Sequence, residues 1–216
     1  MDTLSYILTL ISGISWTIVY LAVIYRGFKD KTYGMPFFAL AFNLTWEFIF
    51  SFVAGGSLSL QVVINMTWFF FDLVILYTYF RYGRKEFPES VGQKWFVPWS
   101  WLAIVVGFVT QYFAALEFPS LFGPTYSALI GNLVMSILFI DMLVRRGGVE
   151  GQSMGVAIFK WLGTTAAAIS LHQQTDSNLV LVLGIVIFVF DLIYVGMLYQ
   201  KFRSLGLHPF TRQPAR

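Results

Sequence analysis

No cysteine occurs in the sequence, which excludes a disulfide framework, a thiolate nucleophile and any cysteine metal site. Histidine is nearly as scarce. His172 and His208 are too few for a histidine metal cluster and fall where a loop and a tail are expected. Charged side chains occupy 12% of positions and hydrophobic ones 57%, whereas soluble domains carry about 25% charged residues. A soluble fold is therefore excluded. The net charge of +3 does not indicate nucleic acid, because the basic residues are spread over short links beside apolar runs, as membrane-anchoring charges are.

What is present is apolar sequence in lengths that fit a bilayer. A membrane-spanning helix needs about 20 mostly apolar residues. Seven stretches qualify: Leu4–Tyr25, Met35–Ala54, Gln61–Phe80, Trp95–Leu116, Thr125–Val144, Met154–Leu171 and Leu179–Gln200. The links between them leave no room for a soluble domain, so residues 1–216 are expected to form a single all-α, seven-helix transmembrane domain. The first stretch lacks a basic leader and a small-residue cleavage site, and reads as a span rather than a signal peptide.

Thirteen of the 14 Lys and Arg residues fall on one side of this arrangement: Arg26, Lys29, Lys31, Arg81, Arg84, Lys85, Lys94, Arg145, Arg146, Lys201, Arg203, Arg212 and Arg216. The other side carries Asp2, Glu117 and Asp176. The positive-inside rule then places the amino terminus outside and the carboxyl terminus in the cytosol. A weak internal repeat accompanies this pattern. Phe69-x-Phe71-Asp72-Leu73 returns as Phe188-x-Phe190-Asp191-Leu192, and Tyr25-Arg26-Gly27 resembles Arg145-Arg146-Gly147 at nearly the same offset. Both matches point to a three-plus-one-plus-three parallel duplication.

Four carboxylates lie within the spans: Glu47, Asp72, Asp141 and Asp191. A charge at the bilayer centre costs about 2.5–3.5 kcal/mol on the insertion scale, so such groups face the bundle interior and mark functional sites. Glu47, Asp72 and Asp191 each sit roughly 16–18 Å from the start of their span, near mid-membrane. Asp141 is close to the inner end beside Arg145 and reads as an interfacial ion pair. Asn43 shares a face with Glu47, and Trp46 adjoins it. Trp68 and Asn65 share the stripe of Asp72, and Tyr194 that of Asp191. Lys160 sits in the inner half of the sixth span, where its stem is expected to snorkel to the cytosolic surface. Gly147-Gly148-Val149-Glu150-Gly151 lacks the lysine and spacing of a phosphate loop and reads as a turn.

Aromatic residues make up 19% of the chain. Most are lipid-facing packing, but Trp46 and Trp68 stand beside or one turn from a mid-membrane acid. A cation over a desolvated indole face gains about 2 kcal/mol. An acid next to an aromatic wall is what carbocation chemistry requires.

The run Phe28-Lys29-Asp30-x-Thr32-Tyr33-Gly34-Met35, followed by Asn43-x-x-Trp46-Glu47, resembles the membrane-bound terpene cyclases of fungal meroterpenoid and indole-diterpene pathways and their short bacterial relatives. Trp68-x-x-x-Asp72, Arg146-Gly147-x-x-x-Gly151-x-Ser153, Leu162-Gly163-Thr164 and Asp191 extend the likeness in order along the chain. The resemblance implies a seven-helix, metal-independent enzyme without cofactor that protonates the distal alkene or epoxide of a prenyl chain and guides ring closure. By position it makes Glu47 and Asp191 the catalytic acids, with Asn43, Trp46, Trp68 and Asp72 around them; Asn65 and Tyr194, which share their stripes, complete the expected substrate-binding set. The short segment before the first span and Lys160, where arginine is usual, suggest a bacterial cell membrane rather than a fungal endoplasmic reticulum. They also suggest a farnesylated indole or similar aromatic as the lipophilic partner. No Asp-Asp-x-x-Asp run is present to hold magnesium and a diphosphate, so protonation rather than diphosphate ionisation starts the reaction. A neutral Glu47 in an apolar site would be the general acid, and the final proton would pass to its conjugate carboxylate or to water.

The main alternative is a small seven-helix transporter of the sugar-carrier type, whose mid-membrane acids would be proton or substrate sites. Carriers show helix breakers in matching positions of both halves. Here Pro36 and Pro98 are the only prolines expected in spans, and they are not paired. A retinal photoreceptor is excluded by the lack of a lysine within the last span.

Overall fold

The computed structural model describes residues 3–54, 56–118 and 122–214. Asp2 and Arg216, which enter the charge pattern, lie outside the described residues. Seven α-helices follow one another: α1 Thr3–Asp30, α2 Phe37–Phe48, α3 Leu60–Tyr82, α4 Phe96–Glu117, α5 Phe122–Arg146, α6 Met154–Thr175 and α7 Asn178–Ser204. Six are long and apolar enough to cross a membrane, and α2 is shorter. Instead of one unbroken helix over Met35–Ala54, the second segment is a 12-residue α-helix continued by a π-helical turn, Ile49–Val53. Together they rise about 25 Å.

Local chemistry sets the helix ends. Ser59, Ser153 and Ser177 cap α3, α6 and α7 by accepting from the backbone N–H three residues on, a role short hydroxyl side chains fill well. Pro98 and Pro124 lie in first turns, where a missing N–H costs nothing. The last turns of α1, α3, α5 and α7 carry Lys or Arg. These helices therefore finish at one basic end, with their cations beside the negative ends of the helix dipoles.

α1 lies along α6 and also meets α3; α2 packs on α3, α4 and α5; α7 packs on α5 and α6. The tight α1–α6 seam depends on Gly163, where a Cβ would come within 2.9 Å of the Trp16 ring. The core runs through Tyr20, Leu40, Ile75, Phe139 and Tyr194, all buried, whereas Phe70, Trp101, Phe113 and Ile185 are exposed, as lipid-facing side chains are.

At the basic end a polar clamp joins distant parts of the chain. Arg146 donates to Glu86 at 2.8 Å, to the Tyr33 carbonyl at 2.9 Å and to the Glu150 carbonyl at 2.9 Å. Its guanidinium lies 4.4 Å from the Tyr33 ring centre. Thr32 donates to Glu86. Asp30 accepts from the Gly151 N–H and from Arg212, each at 2.8 Å, and Arg212 also donates to the carbonyls of Val149 and Gln152. Gly151 has φ +73°, a conformation glycine adopts without strain. Burial pushes the Tyr33 phenol above its ordinary range. The Asp30–Gly34 and Arg146–Ser153 motifs are thus two halves of one structural joint.

Candidate functional site

Three helices bring four polar side chains together in the apolar interior. Tyr20 comes from α1, Asn43 and Glu47 from successive turns of α2, and Asp72 from the middle of α3. Glu47 Oε1 accepts from the Tyr20 hydroxyl at 2.6 Å and from Asn43 Nδ2 at 3.0 Å. Asn43 Nδ2 also lies 2.7 Å from the Tyr20 oxygen and 2.8 Å from Asp72 Oδ2. One amide with two hydrogens therefore links a phenol and two carboxyls. Glu47 is 1% exposed and Asp72 0%. Glu47 Oε2 and Asp72 Oδ1 are buried without a hydrogen-bond partner.

Among the described residues no Lys or Arg pairs with either carboxyl, and the ion pairs are Arg26–Asp30, Arg145–Asp141, Arg146–Glu86, Lys160–Asp191 and Arg212–Asp30. Two buried carboxyls sharing one amide, without a counterion, are best accommodated when at least one of them keeps a proton.

Rings close the site on one side. Trp68 stacks on Tyr20 with centres 5.8 Å apart, and Trp16 lies 6.2 Å from Tyr20 and 6.5 Å from Trp68. The Trp68 indole N–H donates to Thr17 at 3.2 Å, which fixes the ring. Trp46 turns to α5 instead. Its N–H donates to the Pro124 carbonyl at 3.2 Å and to Ser127 at 3.0 Å, and its ring lies 5.1 Å from Phe50. Asn65, about 10 Å further along α3 from Asp72, accepts from Gln61 at 2.8 Å. An apolar groove of about 390 Å³, lined by Phe38, Phe42, Trp99, Gly107 and Gly131 among others, runs along another face of α2.

Asp191 belongs to a separate buried cluster. Lys160 Nζ donates to Asp191 Oδ1 at 2.6 Å and to Ser136 at 2.7 Å, and Lys160 is 0% exposed. The expectation that Lys160 snorkels to the surface is thereby corrected. A carboxylate within reach compensates its charge in the interior, so its stem has no need to seek water. Asp191 Oδ2 has no partner. Tyr194, one turn beyond Asp191, donates to Gln152 at 3.0 Å and packs on Phe139. Asp141 pairs with Arg145 at 2.7 Å on the exposed rim, as its position near the end of a span suggests.

The sequence reading missed Tyr20, although Trp16, Thr17 and Tyr20 form a stripe of aromatic and hydroxyl side chains one turn apart on the first helix. It also missed the pairing of Lys160 with Asp191.

The family model described as Pyr4-like transmembrane terpene cyclases matches residues 1–204. Among curated proteins, the Pyr4-family terpene cyclase mfmH of Annulohypoxylon moriforme is 29% identical over 162 residues, 74% of this chain and 66% of its own. Terpene cyclase macJ of Penicillium terrestre is 36% identical over 172 residues, 74% of this chain and 63% of its own. Asnovolin H synthase nvfL of Aspergillus novofumigatus is 30% identical over 170 residues, 76% of this chain and 69% of its own. The chain thus spans about two thirds of the length of the relatives it matches. These relatives are fungal, and they give no support to a bacterial membrane over the endoplasmic reticulum. No solved structure matches the chain.

Proposed function

Because the chain belongs to the family of Pyr4-like transmembrane terpene cyclases, we propose that it cyclises the prenyl chain of a lipophilic substrate within the membrane by delivering a proton from Glu47. The observation that carries this reading is the Tyr20–Asn43–Glu47–Asp72 cluster. Glu47 Oε1 is occupied as an acceptor from two donors, so the proton resides on Oε2, the oxygen left without a partner. That proton adds to the distal alkene, or opens its epoxide, and leaves a tertiary cation on the chain. Internal double bonds then close rings on the cation, and loss of a proton from carbon ends the sequence. From an alkene or an epoxide the product is an isomer of the substrate, with no net change in atoms.

The remaining roles follow from charge. Asp72 accepts from Asn43 and so positions the amide that holds Glu47. Trp68, stacked on Tyr20, and the tilted Trp16 beside it offer π-faces to the migrating cation. Asp191, paired with Lys160 and therefore anionic, suits cation stabilisation or the final proton acceptance better than proton donation. The substrate is a farnesylated indole or similar aromatic, and the basic end faces the cytosol. The halves α1–α3 and α5–α7 descend from a duplication: exchanging α1, α2 and α3 with α5, α6 and α7 maps the α1–α6, α1–α3 and α2–α3 contacts onto α5–α2, α5–α7 and α6–α7.

The test is to incubate membranes containing the protein with 3-farnesylindole and other farnesylated aromatics, and to analyse products by mass spectrometry. A new compound of unchanged mass that disappears in Glu47→Gln supports the reading. Return of intact substrate from folded protein across a broad panel overturns it.

A further inference from the structure

A concavity of about 470 Å³ opens at the basic end of α3, lined by Lys31, Arg81, Tyr82, Arg84, Lys85 and Gln93. It holds four cations. Among the described residues none of the four is within ion-pair distance of a carboxylate, because the ion pairs of the molecule lie elsewhere. The nearest acids in the chain are already engaged: Asp30 by Arg26 and Arg212, Glu86 by Arg146 and Thr32.

All four cations are exposed, and three of them make local contacts that leave their charge unneutralised. Arg81 lies over the Tyr82 ring at 5.6 Å and Arg84 over the Phe96 ring at 5.8 Å. Lys85 donates to the Lys31 carbonyl at 3.0 Å, and Gln93 to the Phe87 carbonyl at 3.2 Å. A guanidinium near a ring face keeps its N–H groups available to donate. Four like charges set close together without a counterion are an unfilled site for an anion rich in oxygen acceptors.

The surface below the concavity identifies the kind of anion. Counting back along α3 from Arg81 in helical steps, Tyr77, Val74 and Phe70 are exposed at 56%, 37% and 59%. This continuous apolar stripe leads from the cations toward the membrane interior. We propose that this site binds an anionic phospholipid, with its headgroup phosphate among Arg81, Arg84, Lys85 and Lys31 and its acyl chains along Tyr77, Val74 and Phe70. A free phosphate would use the cations alone, whereas a phospholipid would use the cations and the adjoining lipid-facing stripe together.

The test places the purified protein in phosphatidylcholine nanodiscs containing a trace of spin-labelled phosphatidylglycerol or, separately, spin-labelled phosphatidylcholine. The motionally restricted fraction is read by electron paramagnetic resonance. Wild-type protein should select the anionic lipid, and Arg81→Gln/Arg84→Gln/Lys85→Gln should lower that selectivity about fivefold or more, given that each basic residue near an anionic surface contributes about that factor. Lys201→Gln/Arg203→Gln, which removes two charges at the same end but outside the concavity, should leave it unchanged. Arg81, Arg84, Lys85 and Arg203 are exposed and Lys201 is half-buried, and gel filtration checks that the variants are folded. Unchanged selectivity in the triple variant, or an equal loss in the Lys201/Arg203 control, overturns the proposal. So does displacement of the lipid by 10 mM inorganic phosphate, which would make this a site for soluble phosphate.

Discussion

The two buried polar clusters solve the same problem in opposite ways. In the α1–α3 half, Glu47 and Asp72 have no cation and are held by neutral donors, Tyr20 and Asn43. In the α5–α7 half, Asp191 is matched by Lys160, with Ser136 as the lysine's second acceptor. A buried charge is tolerated when it is paired, and a buried acid without a counterion when it keeps its proton. On the reading proposed above, the first cluster is a proton store and the second a fixed anion. Asp72 and Asp191 occupy matching places in the repeated Phe-x-Phe-Asp-Leu motif, so the difference arises from their neighbours. On that reading the first cluster starts the reaction and the second balances charge along its course.

The sharpest way to break this comparison is Glu47→Gln. The amide keeps size and hydrogen bonding but carries no acidic proton, so cyclisation should fall by about 10²-fold or more, while detergent thermal stability stays near wild type. Activity above roughly a tenth of wild type would remove Glu47 as the acid. The second cluster should respond the other way round. Lys160→Met strands a buried carboxylate and should destabilise the bundle by about 3–5 kcal/mol, whereas the double variant Lys160→Met/Asp191→Asn should recover most of that stability without recovering activity. Thermal unfolding in detergent reads both, and a fully stable Lys160→Met protein would show that the pair is not the fixed charge described.

Smaller changes sharpen the picture. Tyr20→Phe removes one donor to Glu47 Oε1 but keeps the ring against Trp68. It should lower turnover about tenfold, the worth of one hydrogen bond of about 1–1.5 kcal/mol. At Trp68, Phe and then Leu should give graded losses, and the Leu variant should release partly cyclised products visible by gas chromatography and mass spectrometry. Trp46, whose ring is turned to α5, should show less of this. An unchanged product profile at Trp68 would return that ring to a packing role. Asp141→Asn, on an exposed rim pair, should leave activity within about twofold.

The seven helices were legible because apolar runs of bilayer length have no other reading in a chain so poor in charge. The second of them was only half legible. Hydropathy registers apolar length but not hydrogen-bond register, so the change from α to π at Ile49 left no trace in it. Glu47, Asp72 and Asp191 stood out as acids in apolar surroundings, and Asn43 and Trp68 by helical spacing from them. Tyr20 did not, because a tyrosine in an aromatic-rich helix carries no sign of what its hydroxyl meets. Lys160 was misread because spacing along one helix says nothing of a partner on the next, and its depth alone fits either snorkelling or pairing. The loop motifs were noticed as a likeness, but their purpose as a joint between the α1–α2 and α5–α6 links appears only in three dimensions.

Arg212 gives that joint an order in time. It follows the last helix in the chain, yet it reaches Asp30 at the end of the first, across 182 positions. Until residue 212 has been synthesised, the first and seventh helices cannot be fastened at this end, however early each has entered the membrane. The nascent bundle therefore assembles with one end unlatched. A contact this distant in sequence carries a large loop-closure cost. The latch can close only once the chain that carries both clusters has been made.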